Sequence, residues 1–344
     1  MKIMDFRSDT VTKPSEEMRR IMACAEVGDD IYGDDPSSNA LSEYAAELTG
    51  KEAAIYTCSG TMGNLLAFLS AGRHGESLLA GKRSHVWNAE VGGFSAIAGL
   101  CPYPLNDDEG IPAAADLAPA NRADNNIHHP DTTILCLENT HNYTGGIAVS
   151  PERFAEVAGE GHKLGFHVHL DGARIFNASV FHGVDVKAFT DEIDSVQFCL
   201  SKGLGAPMGS MLCGSHEFIE RAKKARKRIG GAQRQVGIAA AAGLYALKNN
   251  IPRLSEDHDN AKLLSELLIK GGVHVEEVPN MTNMIFFPML DGYPSDERFV
   301  SACRERGLLL NALSPRRVRL VTHLDVDRED VERAASIILE VISQ

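Results

Sequence analysis

Short apolar runs alternate with segments of helical spacing through much of the chain between residues 53 and 213. The runs fall at 53–58, 76–80, 97–104, 132–137, 166–170, 195–201 and 209–213, with helical segments expected at 61–71, about 87–94 and about 151–163. Such runs, separated by helices, predict a mainly parallel sheet covered on both faces, an α/β fold. Sheets of this kind bind ligands at the carboxyl ends of their strands. What stands just beyond each run is therefore where chemistry is to be sought.

Three strand ends carry it. The run ending QFCLS is followed by Lys202 and then by Gly203, Gly205, Pro207 and Gly209, which stop a strand. An ammonium at the mouth of a buried strand is costly unless its charge is taken up, and a Schiff base with an aldehyde cofactor does that. The alternative is a lysine that snorkels to solvent. About thirty residues earlier, HVHLDGARIFN places Asp171 at the end of a strand with period-two alternation. The run IYTCSGTMGN sets Ser59, Gly60 and Thr61 at a helix start, where free N–H groups and the helix dipole favour phosphate. Phosphate cup, acid and lysine in that order are what a pyridoxal phosphate (PLP) enzyme requires, with the carboxylate on the pyridine nitrogen and the lysine on the aldehyde.

The remainder of the chain fits around this sheet. Residues 1–14 read as an extended arm, Ser15 as the cap of a helix to about Cys24, and Ser37 or Ser38 as the start of a helix stopped by Gly50. Residues 15–250 form the expected large domain. The stretch 251–344 opens on a bridging helix at 254–270, and from about 272 the pattern changes to strands at VHVEEV, NMIFF and 317–323 with helices at 295–306 and 327–342. This predicts a smaller α+β domain. The 344 residues suffice for two cores.

A net charge of −13 speaks against nucleic acid and anionic membranes as partners. The basic run at 221–228 reads better as a solvated helix face than as a binding patch. Seven cysteines without C-x-x-C spacing suggest a reducing compartment, and the polar start MKIMDFRSD and the lack of a long apolar run predict a cytoplasmic protein with no signal peptide or membrane span. His167 and His169 share a strand face with Asp171, but no further ligand spacing supports a metal, and none is expected in catalysis.

Taken together, FRSDTVTKPS, VGDDIYGDDP, SGTMGNLLA, LENTHNYTGG, HVHLDGARIFNA, LSKGLGAPMGS, GGAQRQ and RLVTHLDV resemble the low-specificity L-threonine aldolases, PLP enzymes of the aspartate-aminotransferase-type fold. The resemblance runs from residue 6 to residue 326. It implies cleavage of L-threonine, L-allo-threonine or both to glycine and acetaldehyde. It also implies that His85 stacks on the cofactor, His141 faces the substrate hydroxyl, and Arg234 serves the phosphate region. Arg319 and Ser8 would hold the substrate carboxylate, a guanidinium fork being suited to it, with Arg174 a candidate for both the substrate and the cofactor. Tyr32 would lie on a loop that reaches a neighbouring active site in a homotetramer built from dimers. Whether His85, His141 or a water takes the hydroxyl proton stays open, as does the choice of diastereomer. Cys58 and Trp87 depart from the family pattern beside the phosphate turn and His85. Rival readings are another PLP lyase, an aminotransferase, or a non-catalytic binder of PLP or phosphoanions. A dinucleotide enzyme fails for want of G-x-G-x-x-G.

Overall fold

The computed structural model describes residues 2–123, 126–313 and 316–343. Its large sheet has seven strands, here β1 (Ala53–Thr57), β2 (Ser77–Gly81), β3 (Cys101–Leu105), β4 (Thr132–Glu138), β5 (His167–Asp171), β6 (Ser195–Cys199) and β7 (Ser210–Gly214). They lie in the order β1-β7-β6-β5-β4-β2-β3. All neighbours are parallel except those of β7, which runs antiparallel to both β6 and β1. Alternate residues of one strand enter different cores. Leu79, Leu135 and Leu137 face one side with Leu41, Phe154 and Ala240, whereas Leu78, Ala80, Ile134 and Cys136 face the other with Phe68. Both faces are thus buried, which is why the strands read as unbroken apolar runs.

Some local expectations are corrected by packing. The helix expected from Ser37 or Ser38 spans Pro36–Thr49, and its cap is Asp35, whose buried carboxylate accepts from the Ser38 and Gly237 amides at 2.9 Å each. Pro36 suits the first helical turn because its missing N–H would be unpaired there. The helix expected near 87–94 is two single turns, His85–Asn88 and Gly93–Ala96, divided by left-handed Val91 and Gly92. The run at 97–104 becomes β3 at the sheet edge, where Pro102 and Pro104 are tolerated because an edge strand needs only one ladder. VHVEEV forms no ladder, although Val273 and Val275 are buried.

A second core lies beyond the large sheet. Met284–Pro288, Arg317–Val321 and Asn311–Leu313 form an antiparallel sheet, covered by the helices Leu254–Lys270 and Arg328–Ile342. Met4–Asp5 pairs with Leu308–Leu309, and Met4 and Phe6 are buried with Phe287, Phe299 and Leu320. The N-terminal segment is therefore anchored in this second core. From there it carries Ser8 and Asp9 back to the carboxyl ends of the large sheet.

Candidate active site

The segments beyond β1, β2, β5 and β6 converge on a cavity of about 210 Å³ walled by Ser59, Gly60, Thr61, His85, Asp171 and Lys202. The helix Gly60–Ala71 opens against β6, and Ser59 caps it by accepting from the Met62 amide at 3.2 Å. A Cβ on Gly60 would stand 2.8 Å from Cys199 Sγ, so only glycine lets the helix start sit this close to β6. The first N–H groups of such a helix have no partners within it and are free for an anion.

Asp171 is wholly buried at the end of β5. It accepts from Gln197 Nε2 at 2.8 Å, Asn64 Nδ2 at 2.9 Å and the Ala173 amide at 3.1 Å. Burial alone pushes its pKa up, but the charges of His85 and Lys202 and the bond from Asn64 outweigh it and hold the carboxyl below its usual range. His85 Nδ1 bonds Glu90 Oε1 at 3.0 Å. Burial lowers its pKa, yet Glu90 and Asp171 more than offset this and leave it raised. One ligand atom each of His85, Glu90 and Asp171 lie within 4.8 Å of one another. An Asn64 hydrogen bond already links the two acids, 2.9 Å from each.

Beside this cavity lies a corner built from distant segments. Buried Asp9 takes Arg174 in a two-pronged pair at 2.6 and 2.7 Å. Burial works against the Asp9 charge, but Arg174 and Lys202 pull its pKa far below the carboxylate range. Arg319 donates to Asn142 Oδ1 and the Arg7 carbonyl, both at 3.2 Å, and its buried Nε has no partner. Burial and the charge of Arg174 lower its pKa. Glu138 joins the two histidine loops by accepting from the His85 amide at 2.6 Å and the Asn142 amide at 2.8 Å. His141 is buried with Nε2 on Asp107 Oδ2 at 2.9 Å, and its Nδ1 is unpartnered.

With this geometry in view, the kinship of the chain is plain from sequence. The family model of the beta-eliminating lyases matches residues 5–289. The chain belongs to the beta-eliminating lyase family. It is 44% identical to the low-specificity L-threonine aldolase of Escherichia coli (strain K12), over 97% of this chain and 98% of that one. It is 42% identical to low-specificity L-threonine aldolase 1 of Arabidopsis thaliana, over 98% and 95%. The solved structure of Leishmania major threonine aldolase superposes with a TM-score of 0.84 at 18% identity, covering 98% of this chain and 99% of that one. The expected fold, a mainly parallel sheet flanked by helices with a small antiparallel sheet beside it, is thereby established.

Within the beta-eliminating lyase framework, the predicted residues divide by location. Ser59, Gly60, Thr61, His85, Asp171 and Lys202 share one cavity. Ser8 caps the short turn at Asp9–Val11, bonding the Thr10 amide at 3.2 Å. Arg174 faces Asp9 rather than open space. Arg234 and Tyr32 do not line the cavity of their own chain. Arg234 pairs with Asp29 at 2.9 Å, and Tyr32, 77% exposed, caps a loop held down by Asp30 and Asp35. Sequence reading passed over Asn64, Glu90, Gln197, Glu138, Asp107 and Asp9. Gln197 and Glu138 had a signal, being polar positions inside or ending otherwise apolar strands. Asn64 had none beyond its place one turn into the helix.

Proposed function

We propose that this chain cleaves L-threonine, L-allo-threonine or both to glycine and acetaldehyde, with PLP held on Lys202. The observation that carries the reading is the meeting, in one cavity, of Lys202, an ionised and triply hydrogen-bonded Asp171, and a helix start with free N–H groups. These residues fit the cofactor's aldehyde, pyridine nitrogen and phosphate in turn. When bound, the cofactor supplies an electron sink for negative charge at Cα. The chain's own residues then do the selecting. Arg319, with an unpartnered Nε beside Arg174, and Ser8 hold the substrate carboxylate, which fixes which Cα bond is aligned for cleavage. His85 and His141, on loops that Glu138 joins through the His85 and Asn142 amides, stand as the groups that receive the β-hydroxyl proton, directly or through a water. Loss of that proton breaks the Cα–Cβ bond and releases acetaldehyde, and reprotonation of Cα gives glycine.

The same reading divides the chain into an arm (1–14), a cofactor domain (15–250) and a smaller domain (251–344), in keeping with the two separate cores. It makes the enzyme a homotetramer of dimers whose sites lie at the dimer interface. The exposed Ile31 and Tyr32 support this, since their loop is pinned at its base and tied to the Arg234 segment by the Asp30 amide to Arg234 carbonyl bond of 3.1 Å. A cytoplasmic location agrees with seven free cysteines, and no helix among the described residues is long and apolar enough to cross a membrane.

The test is acetaldehyde release from both threonine diastereomers in a coupled assay with PLP present. Acetaldehyde from at least one is expected. Protein that carries bound PLP yet releases none from either would move the assignment to another β-hydroxy amino acid or another PLP reaction.

A further inference from the structure

Asp171 ends an unbroken chain of hydrogen bonds that runs back through β5 and β6. His167 Nε2 lies 2.8 Å from Ser195 Oγ, which lies 2.9 Å from His169 Nδ1. His169 Nε2 lies 3.0 Å from Asn64 Oδ1. On its other side the same amide gives Nδ2 to Asp171 Oδ2 and to Glu90 Oε1, 2.9 Å each. His169 and Asn64 are almost wholly buried, and His169 meets the edge of Phe68 at 5.8 Å.

Donor and acceptor counting gives this chain one direction. Ionised carboxylates only accept, so Asp171 and Glu90 claim the two hydrogens of Asn64 Nδ2. The Asn64 oxygen must then accept, and His169 must carry its hydrogen on Nε2. Its Nδ1 is left bare and takes the Ser195 hydroxyl hydrogen. The Ser195 oxygen in turn accepts from His167 Nε2. Neutral rings agree with this arrangement, since burial, followed by the neighbouring His167, pushes the His169 pKa down to about 3, and burial pushes that of His167 down to about 4.

We propose that His169 is a positioning residue for the cofactor: acting through Asn64, it keeps Asp171 ionised and aimed at the pyridine nitrogen, while Ser195 and His167 fix its tautomer. The proposal rests on the PLP reading above. Its physical content is the orientation of one amide. Without the Nε2 hydrogen the buried Asn64 oxygen loses its partner, and only the bonds to the two acids still hold the amide. A turned amide sets that oxygen against Asp171 and Glu90, and Asp171 answers by taking up a proton and losing its grip on the ring nitrogen.

The experiment uses the PLP-loaded protein and compares His169→Leu with His169→Gln, whose side-chain N–H reaches the same oxygen. Two quantities are read, the PLP dissociation constant and the pH midpoint of the bound cofactor's absorbance. His169→Leu should weaken PLP binding about tenfold or more, as loss of a ligand-orienting neighbour typically does. It should also raise the absorbance midpoint by about one unit, because a ring without its nitrogen proton makes the lysine-linked nitrogen more basic. His169→Gln should restore both to near wild type. Ser195→Ala, which removes one hydroxyl and leaves the buried ring in place, keeps the test open if the leucine variant does not fold. It should shift both readouts in the same direction by a smaller amount. Leucine and glutamine variants that behave alike, or a Ser195→Ala variant identical to wild type when leucine fails to fold, would overturn the proposal alone. Wild-type protein that takes up no PLP would overturn the cofactor reading and the proposal with it.

Discussion

The two halves of the site are built on opposite terms. Around Asp171 the hydrogen bonds close: the carboxylate has three donors, and the Asn64 amide behind it is used at both ends. Around Arg319 they do not. Arg174 takes the one buried carboxylate, Asp9, and Arg319 donates only to neutral acceptors among the described residues. The floor is preorganised and complete, whereas the corner is short of one anion. On the proposed reading a substrate carboxylate would supply it, drawing binding energy where the free protein is least satisfied while the reacting end stays fixed.

That contrast can be broken most severely at Lys202. Lys202→Ala should end multiple turnover in the acetaldehyde assay, whatever its effect on PLP content. Asp9→Asn leaves Arg174 buried without its counter-charge and should lower unfolding free energy by about 3–5 kcal/mol, read by denaturant or thermal melting. Arg319→Leu should sharpen the comparison. Loss of a charged hydrogen bond of about 2 kcal/mol raises the KM for threonine roughly 30-fold, with PLP affinity nearly unchanged. A parallel loss of PLP affinity would mean that corner and floor are not separate.

Acid should expose the floor. His167 and His169 are held neutral with pKa values pushed down to about 4 and about 3, so the unfolded chain binds protons that the folded one refuses. Stability should therefore fall as pH drops from about 6.5 toward 3, by several kcal/mol in all. Asp9, depressed far below its usual range, adds to the loss once pH nears 4. Asp257, raised to about 6 by burial despite its Arg253 partner, works the other way between about 6 and 4. Melting temperature against pH checks the net sign, and a flat curve over this range would contradict the buried neutral histidines. The smallest effect is expected from Ser59→Ala, which removes a helix cap and should cost about 1 kcal/mol.

Much of this molecule was legible in its residues alone. The alternation of apolar runs and helices gave the parallel sheet, and the residues just beyond three runs gave the lysine, the acid and the helix start. These signals are local, since burial on both faces marks each strand in its own composition and a strand end fixes where the next few side chains stand. The tertiary structure decided how the pieces meet. It made Asp35, rather than Ser37 or Ser38, the helix cap, because Gly237 and Gly28 bring their amides to its carboxylate. It kept Tyr32 and Arg234 out of the cavity of their own chain and gave Arg174 to Asp9, 165 positions away. It also set Asn64 between Asp171, 107 positions on, and His169, 105 positions on. No periodicity encodes such pairs. They exist because strand order places β5 beside β6 and the Gly60–Ala71 helix against them, and contact at this range is a property of the assembled sheet.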